Sequence, residues 1–270
     1  MIEVRNLSFA YKKKNVLEDI SFATGEGQLI AVLGSNGAGK STMFKCILGL
    51  LNKYKGEIYL NGRNIKDVGR KEMASYVAYI PQSETPAFNY TVFDSVLMGT
   101  TGTISMLGSP KKEQLDRTHE VIERLGIGYI QYRGINEISG GERQLALLAR
   151  AMAQKARLLI MDEPTANLDY GNQQYVLDAV KKMADDGYTI LLSTHNPEHA
   201  LQYATHILTL KDHRIIADGP AGELLDEDLI ENIYGLKVRI IETNVDGRSI
   251  KSCIPVAQGK GPARSYEEKM

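Results

Sequence analysis

Two kinds of apolar pattern run along the chain. Residues 2–11 (IEVRNLSFAY) and 16–24 (VLEDISFAT) alternate apolar with polar, the period of a strand with one buried face. Residues 29–33 (LIAVL), 76–80 (YVAYI), 158–161 (LLIM) and 189–193 (TILLS) are short unbroken apolar runs. Such runs fit strands buried on both faces, as in a parallel sheet covered by helices. Helical periodicity falls between them, at 40–51, 111–125, 141–154 and 173–185. The alternation predicts an α/β fold. Residues 91–138 interrupt it with extra helical pattern and a Gly/Thr/Ser-rich stretch at 99–109, which predicts an inserted helical unit. Residues 206–210 and 214–219 read as closing strands around a Lys-Asp-His turn. KVRII and RSIKSCI flank Asp246-Gly247 and predict a terminal hairpin, followed by a loose tail.

Composition narrows the class. The chain has 270 residues, 43% hydrophobic and 24% charged, enough for one large domain or two small ones. Thirty-two basic residues face 33 acidic ones, a net charge of −1 that argues against a general grip on nucleic acid. Cys46 and Cys253 form no metal or disulfide pattern, and Cys46 sits in an apolar stretch as a buried thiol would. No signal-like leader is evident, and no apolar run approaches the ~20 residues of a membrane helix. A cytoplasmic chain is expected.

GSNGAGKST (34–42) follows a buried-strand run and opens a helical one. This is the context of a phosphate-binding loop. Gly34, Ser35, Asn36, Gly37, Ala38, Gly39, Lys40, Ser41 and Thr42 would wrap backbone N–H groups around phosphate oxygens at a helix N-terminus. Lys40 supplies a compact positive charge for the β and γ phosphates, and Ser41 a hydroxyl for Mg²⁺. Three other apolar runs end in polar residues: Gln82, Asp162-Glu163 and Thr194-His195. Alone, Gln82 also reads as a turn residue, His195 as a helix-start or core residue, and the carboxylates as a solvated turn. Ligands of open α/β sheets sit at the carboxyl ends of strands, so together these residues point to one nucleotide site. Phosphoryl transfer assigns Asp162 to Mg²⁺, Glu163 to the attacking water, His195 to the γ-phosphate, and Gln82 to Mg²⁺ or the water.

ISGGERQ (138–144), followed by LLIMDEP (158–164), resembles the signature and Walker B region of ABC (ATP-binding cassette) ATPases. The order of Tyr11, 34–42, Gln82, 139–143, Asp162-Glu163, NLD at 167–169 and His195 agrees over about residues 1–240. The resemblance implies a P-loop NTPase with a RecA-like core, an N-terminal antiparallel β subdomain and a helical subdomain inserted at about 88–155. Residues 241–270 would form a C-terminal hairpin and tail. It implies ATP and Mg²⁺ as cofactors, with Tyr11 stacked on adenine. Ser139, Gly140, Gly141 and Glu142 would face ATP held by a second subunit, with Asp169 at the same interface. One Walker A and one signature per chain imply a pair, expected to be a homodimer. The sequence departs from the commonest LSGGQ form at Ile138 and Glu142, and from SALD at 166–169.

Within that family, 88–99, 139–154, 162–173 and 194–201 resemble importers of iron–siderophore complexes, haem and vitamin B12. Gly99-Thr100 stands where that branch often has Gly-Arg. The resemblance implies two membrane-spanning permease subunits, an extracytoplasmic substrate-binding protein acting indirectly, and a location on the inner face of the cell membrane. Phe88, Tyr90 and Val92 would suit docking of a permease helix, or else core packing. The alternatives are a zinc/manganese, molybdate or export ATPase, and a soluble regulator that dimerises on ATP.

Overall fold

The computed structural model describes residues 2–82, 88–103 and 109–256. The tail expected at 257–270, and parts of the stretches after Gln82 and Gly99, lie outside the described residues. In chain order come β1 (Ile2–Tyr11), β2 (Lys14–Ala23), β3 (Leu29–Leu33), α1 (Lys40–Ile47), β4 (Lys55–Leu60), β5 (Arg63–Asn64), α2 (Arg70–Tyr76), β6 (Val77–Ile80), α3 (Val92–Met98), α4 (Lys112–Arg124) and α5 (Gly140–Ala153). Then follow β7 (Leu158–Asp162), α6 (Tyr170–Asp185), β8 (Thr189–Thr194), α7 (Pro197–Tyr203), β9 (His206–Lys211), β10 (Arg214–Pro220), α8 (Ala221–Leu224), α9 (Glu227–Tyr234), β11 (Val238–Val245) and β12 (Arg248–Pro255).

The unbroken apolar runs form four adjacent strands, β3-β8-β7-β6, of a six-stranded sheet of order β10-β9-β3-β8-β7-β6, with β6 at its edge. Strands β9, β3, β8, β7 and β6 are mutually parallel, and β10 closes the edge antiparallel to β9. The period of two explains why both faces are apolar. Leu158, Ile160 and Leu191 pack toward α1 and the N-terminal sheet, whereas Leu159, Met161, Ile190 and Leu192 pack toward α5 and α6. On β3, Ala31 and Leu33 instead meet Ala200 of α7 and Ile230 and Ile233 of α9. The alternating N-terminal segments form a separate antiparallel sheet, β2-β1-β4-β5, tied to the core where Glu18 N–H donates to His213 O.

Several elements differ from the sequence expectation. The helix predicted at 40–51 stops at Ile47, because Gly49 turns left-handed at φ +67°. Tyr76 ends α2 instead of opening β6. The sequence pattern did not reveal α2, α8 or α9, each of eight residues or fewer. Val92 is fully buried at the start of α3, so it is a core residue and not a docking one. Phe88 is exposed, and Tyr90 is partly buried against the core. The Cys46 thiol is buried, which pushes its pKa up to about 12. The terminal hairpin turns at Asp246 and Gly247, both with positive φ as the turn requires, and starts at Val238. Its inner face, with Ile240 and Cys253, packs on the cluster that holds α7 and α9.

Candidate active site

Four parallel strands deliver their carboxyl ends to one edge. β3 runs into residues 34–40, β6 into Pro81-Gln82, β7 ends at Asp162, and β8 ends at Thr194 before His195. Neighbouring register (β3 with β8, β8 with β7, β7 with β6) sets these ends side by side. The loop after β3 needs its glycines. At Gly39, φ is +108°, and a Cβ there would lie 2.8 Å from both Val16 O and a Leu17 methyl. At Gly37, φ is +84°, and the space beside it is open for at least 4 Å. A cavity of about 410 Å³ opens there, lined by residues 36–42, Gln82, Glu163 and Val16. Sequence reasoning missed Val16, a strand residue with no chemical signal of its own.

Lys40 is 5% exposed. Its ammonium donates to Gly34 O at 2.7 Å and Ser35 O at 3.3 Å, and faces Glu163 Oε1 at 3.6 Å. Burial lowers the Lys40 pKa, opposed by the Glu163 and Asp162 carboxylates. Glu163 is the hub of the site. Its Oε2 accepts from Gln82 Nε2 at 3.2 Å and lies 3.3 Å from His195 Nδ1. Residues 40, 82, 163 and 195 are therefore brought together, as the strand-end argument expects. Glu163 holds a left-handed backbone, φ +47°, a conformation that costs energy in a non-glycine residue. Asp162 is 4% exposed, and its Oδ1 accepts from the Ser193 hydroxyl at 2.7 Å.

The signature residues form a helix start of unusual economy. Ser139 caps α5: its Oγ accepts from Glu142 N–H at 3.3 Å, and its own N–H donates to Glu142 Oε2 at 2.7 Å. This reciprocal capping box satisfies the first and fourth groups. Gly140 and Gly141 N–H are the intervening helix donors, and the Ser139 side chain adds a second hydrogen bond to the Glu142 carboxylate. Glu142 Oε1 accepts from the Tyr129 hydroxyl at 2.9 Å. So the carboxylate turns back along its own helix. The Ser139 backbone N–H is the main cause holding its pKa below the ordinary value of 4.5. Ser139 and Gly140 are exposed; Gly141 is buried, and a Cβ there would overlap the Asn172 side chain.

Asn172 also reaches the other interface candidate. Asp169 is exposed and caps α6, accepting from Asn172 N–H at 2.8 Å and Asn172 Nδ2 at 2.7 Å. Asn172 thus joins Gly141 to Asp169. Tyr11 ends β1, 46% exposed, edge-on to Phe9 at 4.8 Å, and lies outside the lining of the cavity around Gly37. The segment after Gln82 is tied to the approach to the signature: Asn136 N–H donates to Asn89 Oδ1, Asn89 Nδ2 to Glu137, and Ile135 N–H to Tyr90 O.

The donors fit a nucleotide with its metal. Among the described residues, no group of three His, Cys, Asp or Glu side chains could hold a metal ion. A Mg²⁺ held by Ser41 and Asp162 would therefore complete its oxygen shell from phosphates and water, as this ion usually does.

Comparison with known proteins agrees with this chemistry. The ABC transporter family matches residues 17–166. An uncharacterized ABC transporter ATP-binding protein of Haemophilus influenzae is 36% identical over 93% of this chain and 96% of its own. A probable iron chelatin transport ATP-binding protein of Helicobacter pylori is 39% identical over 80% and 85%. A zinc transport system ATP-binding protein of Treponema pallidum is 36% identical over 88% of each. A solved chain, described as an inward-facing conformation of a metal-chelate type ABC transporter, superposes with a TM-score of 0.83 at 27% identity, covering 95% of this chain and 98% of that one. With the P-loop, the signature and Asp162-Glu163 all inside the matched span, the chain belongs to the ABC transporter family, as an ATP-binding subunit that hydrolyses ATP with Mg²⁺.

Proposed function

We propose that the chain powers an importer of metal chelates of the iron–siderophore, haem or cobalamin kind, as a homodimer beneath two permease subunits. Residues 1–240 would form the ATPase domain, with the helical insertion at about 88–155. The convergence of Lys40, Gln82 and His195 on Glu163 carries the catalytic part of this reading. Ser41 and Asp162 would hold Mg²⁺, which when bound supplies positive charge to the phosphates. Lys40 would exchange its loop carbonyls for phosphate oxygens. Glu163, oriented by Gln82, accepts a proton from the attacking water, and His195 holds the γ-phosphate. Ser139 O–H and the Gly140 and Gly141 N–H groups complete the site of the other subunit. Docking of the permease at Phe88 would reach the signature through the Asn89–Asn136 and Asn89–Glu137 bonds.

The substrate class rests on the relatives. The Helicobacter protein named for iron chelatin and the metal-chelate type structure support a chelated metal. A second reading, a bare divalent ion, is supported by the Treponema zinc protein and by a Bacillus subtilis manganese transport ATP-binding protein at 34% identity. Among the described residues no helix is long and apolar enough to cross a membrane, and this reading assigns the transport pathway to the permease subunits. The test is reconstitution with those subunits and the substrate-binding protein. ATPase stimulation by ferric chelates, haem or cobalamin, and not by Zn²⁺ or Mn²⁺, is expected. Stimulation by the bare ions alone would replace the chelate reading. Failure of the chain to co-purify with any polytopic subunit would favour the soluble regulator.

A further inference from the structure

Ser193 lies in β8 at 0% exposure, one residue before Thr194 and two before His195. A hydroxyl in a fully buried strand must find partners within the protein. Ser193 finds two. It donates to Asp162 Oδ1 at 2.7 Å and accepts from the Glu163 backbone N–H at 2.9 Å. The parallel register sets Ser193 directly beside Asp162, so both bonds cross one strand gap. A hydroxyl has one proton to give, and here it goes to the carboxylate. Among the described residues, Ser193 is the one side chain that hydrogen-bonds Asp162.

We infer that Ser193 is a positioning residue that sets the metal-holding carboxylate and the water-activating glutamate with one atom. This rests on the roles proposed above for Asp162 and Glu163. Engaging Oδ1 fixes the carboxylate's rotation and leaves Oδ2 for the metal shell. Holding the Glu163 N–H braces the left-handed turn at φ +47°, and that turn aims the Glu163 side chain at Lys40, Gln82 and His195. Without the hydroxyl, a buried carboxylate oxygen and a backbone N–H lose their partner together. The ordinary alternative, a serine that only completes sheet packing, predicts no selective effect on metal.

The full-length chain carrying Ser193→Ala tests this with Mn²⁺ as a paramagnetic probe. ATP affinity in EDTA is expected within about twofold of the parent, since the P-loop is untouched. Mn²⁺ affinity of the complex with a non-hydrolysable ATP analogue is expected to fall about tenfold, and kcat about 10- to 100-fold, the range for residues that orient metal ligands. Parent-like Mn²⁺ affinity and kcat would overturn the inference, as would a loss of ATP affinity in EDTA equal to the loss of Mn²⁺ affinity. Should the alanine variant not fold, Ser193→Cys keeps the volume with a weaker donor, and the same split is expected; parent-like values again overturn it. Asp162→Asn separates the two levels. If it leaves Mn²⁺ affinity unchanged, the assignment of Asp162 fails. If it abolishes Mn²⁺ binding while Ser193→Ala does not weaken it, only the inference about Ser193 fails.

Discussion

Removing the Glu142 carboxylate should separate two roles that an acidic residue could have beside a phosphate. If its charge merely repels nucleotide, Glu142→Ala should speed turnover. The capping geometry predicts the opposite. Alanine removes the acceptor for Ser139 N–H at 2.7 Å and for Tyr129 O–H at 2.9 Å. The site is near the surface, so water replaces part of both bonds. A cap of this kind is worth about 1 kcal/mol, and in a chain of this size that lowers Tm by roughly 2–4 °C. Ser139 would also lose the carboxylate that orients its side chain. Removing an oriented donor outright costs about 10²- to 10³-fold in kcat, so misorienting one should cost about tenfold. Glu142→Gln keeps an acceptor for Ser139 N–H, and should stay within about 0.5 kcal/mol of the parent, the usual effect of surface substitutions.

The pH dependence carries a sign. Hydrogen bonds from Ser139, chiefly its backbone N–H, with help from Tyr129 and Arg133, hold the folded Glu142 pKa below 4.5. A depressed folded value gives stability that is present above 4.5 and lost as pH falls through the lower folded value. The Tm gap between parent and Glu142→Ala should therefore narrow in acid. Melting curves from pH 7 down to pH 3, with steady-state ATPase at pH 7, measure both. Parent-like melting and turnover in Glu142→Ala would refute the cap. Equal damage in Glu142→Gln would show that charge, not acceptor geometry, matters.

Three further outcomes follow from the same geometry. Glu163→Gln should bind ATP, lose turnover and accumulate a dimer on a sizing column; near-normal hydrolysis would remove Glu163 from its role. Ser139→Arg should block ATP-driven dimerisation while leaving monomer ATP affinity within about twofold, because the P-loop lies at the end of another strand; a collapse of monomer affinity would contradict an intersubunit role. Gly141→Ala should overlap Asn172 and cost about 1–3 kcal/mol, typical of overpacking, and Asn172→Gly should recover part of that loss; strictly additive effects in denaturant titrations would mean the two side chains do not meet.

What was legible in the sequence was residue type and period. The unbroken runs became β3, β6, β7 and β8 because a strand buried on both faces has no polar phase to show. Their polar terminators met because parallel strands end on the same edge. What was not legible is the layer that holds those residues still. Ser193 acts across 31 positions, Tyr129 reaches Glu142 across 13, and Val16 borders a loop 20 or more residues away. No local spacing encodes such pairs. Val92 shows the converse limit: an apolar residue in an inserted segment reads equally as docking face or core, and only packing decides.

Signals for part of that hidden layer were nonetheless present. A serine inside a run that must be buried demands a partner. A Ser followed three residues later by Glu is a capping box before it is anything else, and so Glu142 belongs to its own helix. That bears on the glycines that open α5. Gly141 lacks a side chain because α6 leaves no room for one, whereas Gly140 faces solvent, with only the Leu168 side chain close. Two glycines cost up to about 1 kcal/mol each in a helix, and the box formed by Ser139 and Glu142 offsets roughly half of that. The helix start is thereby ordered while Ser139 and Gly140 stay exposed, and Tyr129 extends that ordering to the segment between α4 and α5.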